Sequence, residues 1–162
     1  MVIMWKGGQM TTMSVTPRTN IVGAGYEGRD IATFVQDLVR SGVSLLVDVR
    51  LTPISRKPGF SKNALRQALS ESGIAYEHRP ALGNPKDNRA GFAGSAQELE
   101  HARAVYSVRL RDARAQEALA DLADAAARER VAVLCFEADQ RRCHRDLVLD
   151  AVSVWGSTRP ER

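Results

Sequence analysis

The sequence predicts an α/β domain in three layers, a mostly parallel sheet of the Rossmann-like kind with helices on both faces. Three observations predict it. Short segments such as LLVDV (45–49) and VAVLC (131–135) have the near-continuous hydrophobicity of strands buried on both faces. Segments between them carry apolar residues at i, i+3, i+4, the stripe of an amphipathic helix. The two patterns also alternate along the chain, as strand–helix–strand crossovers require.

Residues 1–19 contain a few apolar residues but no continuous apolar core of signal-peptide length and no small-residue cleavage pattern, so they are expected to form a poorly ordered leader rather than a signal peptide. Met10 or Met13 are alternative starts. The domain is placed at 20–156, with a tail at 157–162. NIVGAG (20–25) is expected as a strand entering a glycine turn. Asp30 then caps a helix whose apolar face is Ile31, Phe34, Val35, Leu38 and Val39, and Ser41–Gly42 ends it. LLVDV follows as a buried strand interrupted by Asp48. After the loop RLTPISRKPGF (50–60), Ser61 is expected to cap a helix through Leu65 and Leu69 that stops at Gly73. IAYEH (74–78) reads as a third strand. PALGNPKDNRAGFAG (80–94) is expected as a long loop, of a size that is usually functional. Helices are expected over 96–110 and over 113–128, the latter with Ala115, Leu119, Leu122 and Ala126 on one face. VAVLC is the last strand, and a helix over 140–155 closes the domain through Leu147, Val148, Ala151 and Val154.

In open parallel sheets, ligands bind beyond the carboxyl ends of the strands. Here those positions hold GAGYEGR, DVRLTPISRKPGF, EHRPALGNPKDNR and CFEADQRRCHR, so the unusual polar clusters of the chain share one edge of the sheet. The chain of 162 residues has a net charge of +4, and Arg50–Arg89 carries eight Lys/Arg against three Asp/Glu, a local net of +5. That excess, concentrated in loops, points toward a polyanion or phosphate-bearing partner. No apolar run approaches the roughly 20 residues of a membrane span, so no membrane partner is expected. With two cysteines and no signal peptide, a disulfide scaffold is not expected, and the reading is a reduced, cytoplasmic protein.

The motifs DVR…P.SR…GFSK, Y.H.P.LG and C.E…..CHR occur in this order between Ile21 and Val152. In that combination the chain resembles the DUF488 family of bacterial and archaeal proteins. The resemblance implies a three-layer α/β fold and no particular reaction. One departure stands out: many relatives have a histidine in a turn after the first strand, where this chain has Ala24. Any such role would be absent here or taken over by Tyr26 or Glu27.

Four chemistries compete for these residues. In the leading one, Arg50, Arg56, Lys57 and Arg145, with Asn84 and Arg89, hold the phosphate of a nucleotide or nucleic acid. Asp48, Glu137 and His144 are the acid/base candidates for hydrolysis or transfer, and Cys143 lines the site. If the closing helix starts near Gln140, Cys143 and His144 lie in its first turn, where free N–H groups favour an anion. Two loops, Arg56–Lys57…Phe60 and Asn84…Arg89…Phe92, add an aromatic ring to the charge, as a base-stacking surface would, or as loop anchors packed on the core equally would. The second chemistry is a non-catalytic nucleotide- or nucleic-acid-binding module using the same basic edge. The third is thiol chemistry at Cys135 or Cys143, since Cys135 and Arg141 fit the C-x5-R layout of phosphatase and rhodanese loops. FEADQ, without glycine and with two acids, suits an anion cradle poorly. The fourth is zinc held by Cys135, Cys143 and His144 with Glu137 or His78. The lack of a C-x-x-C and the adjacency of Cys143 and His144 argue against it, so no metal ligand is assigned, although a divalent ion is compatible with the set. Asp48 also has a structural alternative, a buried pair with an arginine.

Overall fold

The computed structural model describes residues 20–158. Four strands, β1 (Ile21–Gly25), β2 (Leu45–Asp48), β3 (Ala75–His78) and β4 (Val131–Cys135), form one all-parallel sheet in the order β1-β4-β2-β3. The expected fold class is the one observed. Central strands β2 and β4 are buried at every residue, which is why their sequences lack polar alternation. Edge strand β3 is only half buried and reads AYEH.

Alternate residues of each strand feed two cores. One face buries Leu46, Ala132 and Leu134 against Phe34, Val35 and Leu38 of α1 (Ile31–Arg40) and Leu65 and Leu69 of α2 (Lys62–Glu71). The other buries Leu45, Val47, Val131 and Val133 against three helices: α4 (Ala96–Arg109), α5 (Ala113–Arg128) and α6 (Arg145–Thr158). Asp30 caps α1 through the Thr33 amide, and Ser95 and Glu98 close a capping box on α4. Val39 and Val154, expected on inward faces, are instead exposed.

Three further expectations are corrected. Residues 80–94 are not a loop: a 3-10 turn at Pro80–Leu82 leads into α3 (Lys86–Ala93). Phe92 is the one buried residue of α3, so periodicity had nothing to register; Asp87 in its first turn and Gly94 at its end delimit it. Ser61 precedes α2 but does not cap it with its side chain, because its Oγ accepts from the Ser55 amide and donates to the Ser55 carbonyl. The closing helix begins at Arg145, not Gln140. Asp139 accepts from the Arg141 amide and holds a separate 3-10 turn at Gln140–Arg142, after which Cys143 is extended. The leader expected over 1–19, with its alternative starts, and the end of the tail beyond 158 lie outside the described residues. Among those described, no helix is long and apolar enough to cross a membrane.

Candidate functional site

Beyond the carboxyl ends of β1, β2 and β4 lies a cavity of about 400 Å³. Its walls include Tyr26 after β1; Arg50, Leu51, Thr52, Ile54, Ser55 and Arg56 after β2; and Asn84, Arg89 and Phe92 from the 80–94 segment. Cys135, Phe136, Glu137, Cys143 and His144 complete it after β4. The sheet edge therefore brings together eight of the ten expected site residues that sit on or beside this cavity's lining: Arg50, Arg56, Asn84, Arg89, Glu137, Cys143 and His144 line it, and Asp48 lies directly beneath Arg50.

Asp48 is fully buried and saturated. Its Oδ1 accepts from the Arg50 amide at 3.1 Å and Arg50 Nε at 2.9 Å; Oδ2 accepts from Arg50 Nη2 at 2.7 Å and the Tyr76 hydroxyl at 2.6 Å. The Arg50 guanidinium also donates to the Tyr26 hydroxyl and the Phe60 carbonyl. Burial opposes the Arg50 charge, but the bonds to Asp48 outweigh it and hold the group above its ordinary pKa. Burial and the Asp48 bond likewise push the Tyr76 hydroxyl up. The network links the ends of β1, β2 and β3. With each carboxylate oxygen engaged, Asp48 forms the buried pair with an arginine that sequence left as its alternative.

The opposite wall is built differently. Cys135 Sγ lies 3.3 Å from Glu137 Oε2 and 3.7 Å from His144 Nδ1, and Cys143 Sγ lies 3.9 Å from that same nitrogen. His144 Nε2 is 3.1 Å from the Val49 carbonyl, an acceptor only, so Nε2 donates there and Nδ1 is the nitrogen that faces the sulfurs. The imidazole also meets the Tyr106 ring edge-on at 5.2 Å. Both cysteines are free and buried. Burial alone raises the Cys143 thiol, but the Cys135 hydrogen bond and His144 more than offset it and bring it to about 6. Cys135, which donates to its neighbour and is buried beside Glu137, is pushed well above the usual thiol value.

Arg56 is exposed at the mouth and has no hydrogen-bond or ion-pair partner among the described residues. Arg89, also exposed, spends only its Nε on the Asn84 carbonyl, 3.2 Å away. Asn84 is buried and accepts from Asn88, which ties the 80–94 segment to α4 through the Ala102 carbonyl.

Two expected anion-binding residues are elsewhere. Lys57 does not line the cavity; its ammonium stands 6.0 Å over the Phe60 ring. Arg145 lies across β1, beside a separate cavity of about 510 Å³ lined also by Gly23, Arg29 and Asp37. There its guanidinium donates to the Glu137 and Ala138 carbonyls, while Arg29 is paired with Asp37. Gly23 permits this placement, because a Cβ there would sit 2.1 Å from Gln140 Oε1 and 3.1 Å from Arg145 Nε. Gly25 admits the loop after β4 in the same way: its Cβ would lie 2.1 Å from the Glu137 carbonyl oxygen. His78 contacts the Arg50 carbonyl and is not part of the thiol cluster.

Of the two rings considered for stacking, both are buried, as the alternative of core anchors had it: Phe60 is stacked on Tyr26 at 4.4 Å, and Phe92 reaches the cavity as part of its wall. The exposed apolar groups at the cavity are Phe136 and Ile54, which sequence reasoning missed. Phe136 directly follows the apolar run 131–135 and reads as its continuation, so only the end of pairing at Cys135 distinguishes it. Of the two substitutes considered for the missing histidine, Tyr26 lines the cavity, whereas Glu27 accepts from the Ala138 amide outside it.

No curated protein and no solved structure matches the chain. Residues 30–152 match the family described as Domain of unknown function DUF488. That span runs from the cap of α1 into α6 and takes in β2, β3, β4 and all of the cavity lining except Tyr26. The chain belongs to the DUF488 family.

Proposed function

We propose that this protein is a cytoplasmic enzyme acting on a nucleotide or nucleic acid, by hydrolysis or transfer, in the cavity at the carboxyl ends of β1, β2 and β4. The observation that carries the proposal is the division of one cavity into two chemistries. Its mouth holds two guanidinium groups with free donors, Arg56 and Arg89, beside exposed Phe136 and Ile54. Guanidinium groups suit phosphate oxygens, and an aromatic ring suits the face of a base. Its floor holds Glu137, His144 and two thiols, the proton-transfer and nucleophile types that bond cleavage needs. Glu137 is the acid/base group of this reading, since Asp48 is committed to Arg50 and Tyr76.

Calorimetric titration with mononucleotides and short oligonucleotides tests it, followed by a product assay on whichever class binds. Arg56→Ala and Arg89→Ala should each weaken binding about tenfold, the value of one charged hydrogen bond. Arg111→Ala, on an exposed residue away from the cavity, should leave it unchanged. Glu137→Gln should bind and not turn over. Equal loss in Arg111→Ala would mean diffuse charge attraction rather than a site. Binding without turnover in the wild type would leave a nucleotide-binding module and remove the enzyme.

A further inference from the structure

We propose that Cys135 Sγ, Cys143 Sγ and His144 Nδ1 bind one divalent ion of the zinc class, with a fourth coordination position open to the cavity. The three donor atoms lie within 4.8 Å of one another, and all three residues are buried. Zinc–sulfur and zinc–nitrogen bonds of about 2.3 and 2.0 Å at tetrahedral angles imply a sulfur-to-nitrogen edge of about 3.5 Å. The two edges observed are 3.7 and 3.9 Å, so little side-chain movement would close both sulfurs and the nitrogen on a common centre.

A second, independent observation concerns the imidazole. Metal-bound histidines usually donate their other N–H to a carbonyl or carboxylate, which fixes ring and tautomer. His144 does so through Nε2 to the Val49 carbonyl, and its other ring nitrogen, Nδ1, is the one facing both thiols. Adjacency of Cys143 and His144, an argument against zinc on spacing alone, is no obstacle in three dimensions. Cys143 is extended with φ −136° and ψ 141°, the helix starts only at Arg145, and the chain turns both donors toward Cys135.

Donor type selects the ion. Two thiols and an imidazole suit zinc and its soft neighbours, and exclude magnesium or calcium as the resident ion. Three protein donors with one side on a cavity is the pattern of a catalytic rather than a purely structural zinc site. Glu137, 3.3 Å from Cys135 Sγ, stands beside that open side without belonging to the three-donor group. Combined with the function proposed above, water at the open position would lose a proton to Glu137. The hydroxide would form a bond to the electrophilic carbon or phosphorus, and the leaving group would depart with the proton from Glu137. The ion site itself rests on the donor geometry and does not depend on that reading.

Anaerobic titration of the reduced, metal-stripped full-length protein with cobalt(II), followed by displacement with zinc, decides the matter. One equivalent should produce sulfur-to-cobalt charge-transfer absorption in the near ultraviolet and the intense visible bands of a four-coordinate ion, and zinc should abolish both. Cys135→Ser and Cys143→Ser should each lower the charge-transfer intensity. They should also weaken binding by more than the roughly 10- to 100-fold seen on removing an outer-sphere partner. Circular dichroism of these variants separates ligand loss from misfolding, and the wild-type spectrum stands without them. Absence of the charge-transfer band in the wild type, or its persistence unchanged in folded Cys143→Ser, would overturn the site. Weakening by Glu137→Gln as large as that of the cysteine variants would overturn the open fourth position. Arg56→Ala should bind cobalt as the wild type does, so loss of the nucleotide reading and loss of the metal reading are separate results.

Discussion

Two buried polar clusters share the carboxyl edge of this sheet, and they differ in what is left unused. In the Asp48–Arg50–Tyr26–Tyr76 cluster, carboxylate and guanidinium meet in matched bonds, and neighbouring hydroxyls and a carbonyl take up further capacity. In the Cys135–Cys143–His144–Glu137 cluster, two sulfurs converge on one imidazole nitrogen, and the group forms a cavity wall. A buried charge is tolerated when its partners satisfy it, and a satisfied group has nothing to offer a ligand. Polar burial alone therefore does not mark a site; unspent donor or acceptor capacity facing a cavity does.

The contrast can be broken most directly at Asp48. Asp48→Ala removes one partner of a buried ion pair and should cost about 3–5 kcal/mol in urea unfolding, enough to threaten folding of the domain. A loss under about 1 kcal/mol would mean that the network does not hold the strand ends together, and the distinction between the clusters would fail. Gly25→Ala should have the next largest effect. The added methyl meets the Glu137 carbonyl, so overpacking of about 1–3 kcal/mol is expected together with weaker ligand binding, because the loop carrying Phe136 and Glu137 must shift. Normal binding by a destabilised Gly25→Ala would show that this loop is not a fixed wall. Smallest in stability should be Cys135→Ala, at about 1 kcal/mol for one buried atom lost from each of its contacts. It sharpens the comparison if cobalt binding disappears while the unfolding midpoint barely moves.

How much of this was legible in the sequence depended on how local its cause was. LLVD and VAVLC declare doubly buried strands, and Phe34, Val35 and Leu38 declare the face of α1, because near neighbours in sequence share one environment. Helix α3 stayed hidden because Phe92 alone anchors it. The start of α6 was misplaced because Asp139 favours a short turn of its own. Strand-end position located the cavity, but not that Arg145 would fall beside a separate one, where Gly23, lacking a Cβ, leaves it room. Least legible was the thiol cluster. Its imidazole is oriented by the Val49 carbonyl, 95 residues away in the chain, and no spacing rule reaches that far.

The Asp48 network has a kinetic consequence. Its bonds run from Tyr76 on one edge strand, through β2, to Tyr26 just past the other edge strand, and the Tyr26 and Glu27 amides both donate to the Phe136 carbonyl beyond β4. All four strand ends are thereby laced together across the sheet, so none can fray by itself. Backbone amides around the cavity, those of Tyr26, Val49 and Arg79 among them, should then exchange with solvent deuterium as one cooperative unit, near the rate set by global unfolding. A binding surface of that kind meets its ligand already shaped, and association costs it little ordering.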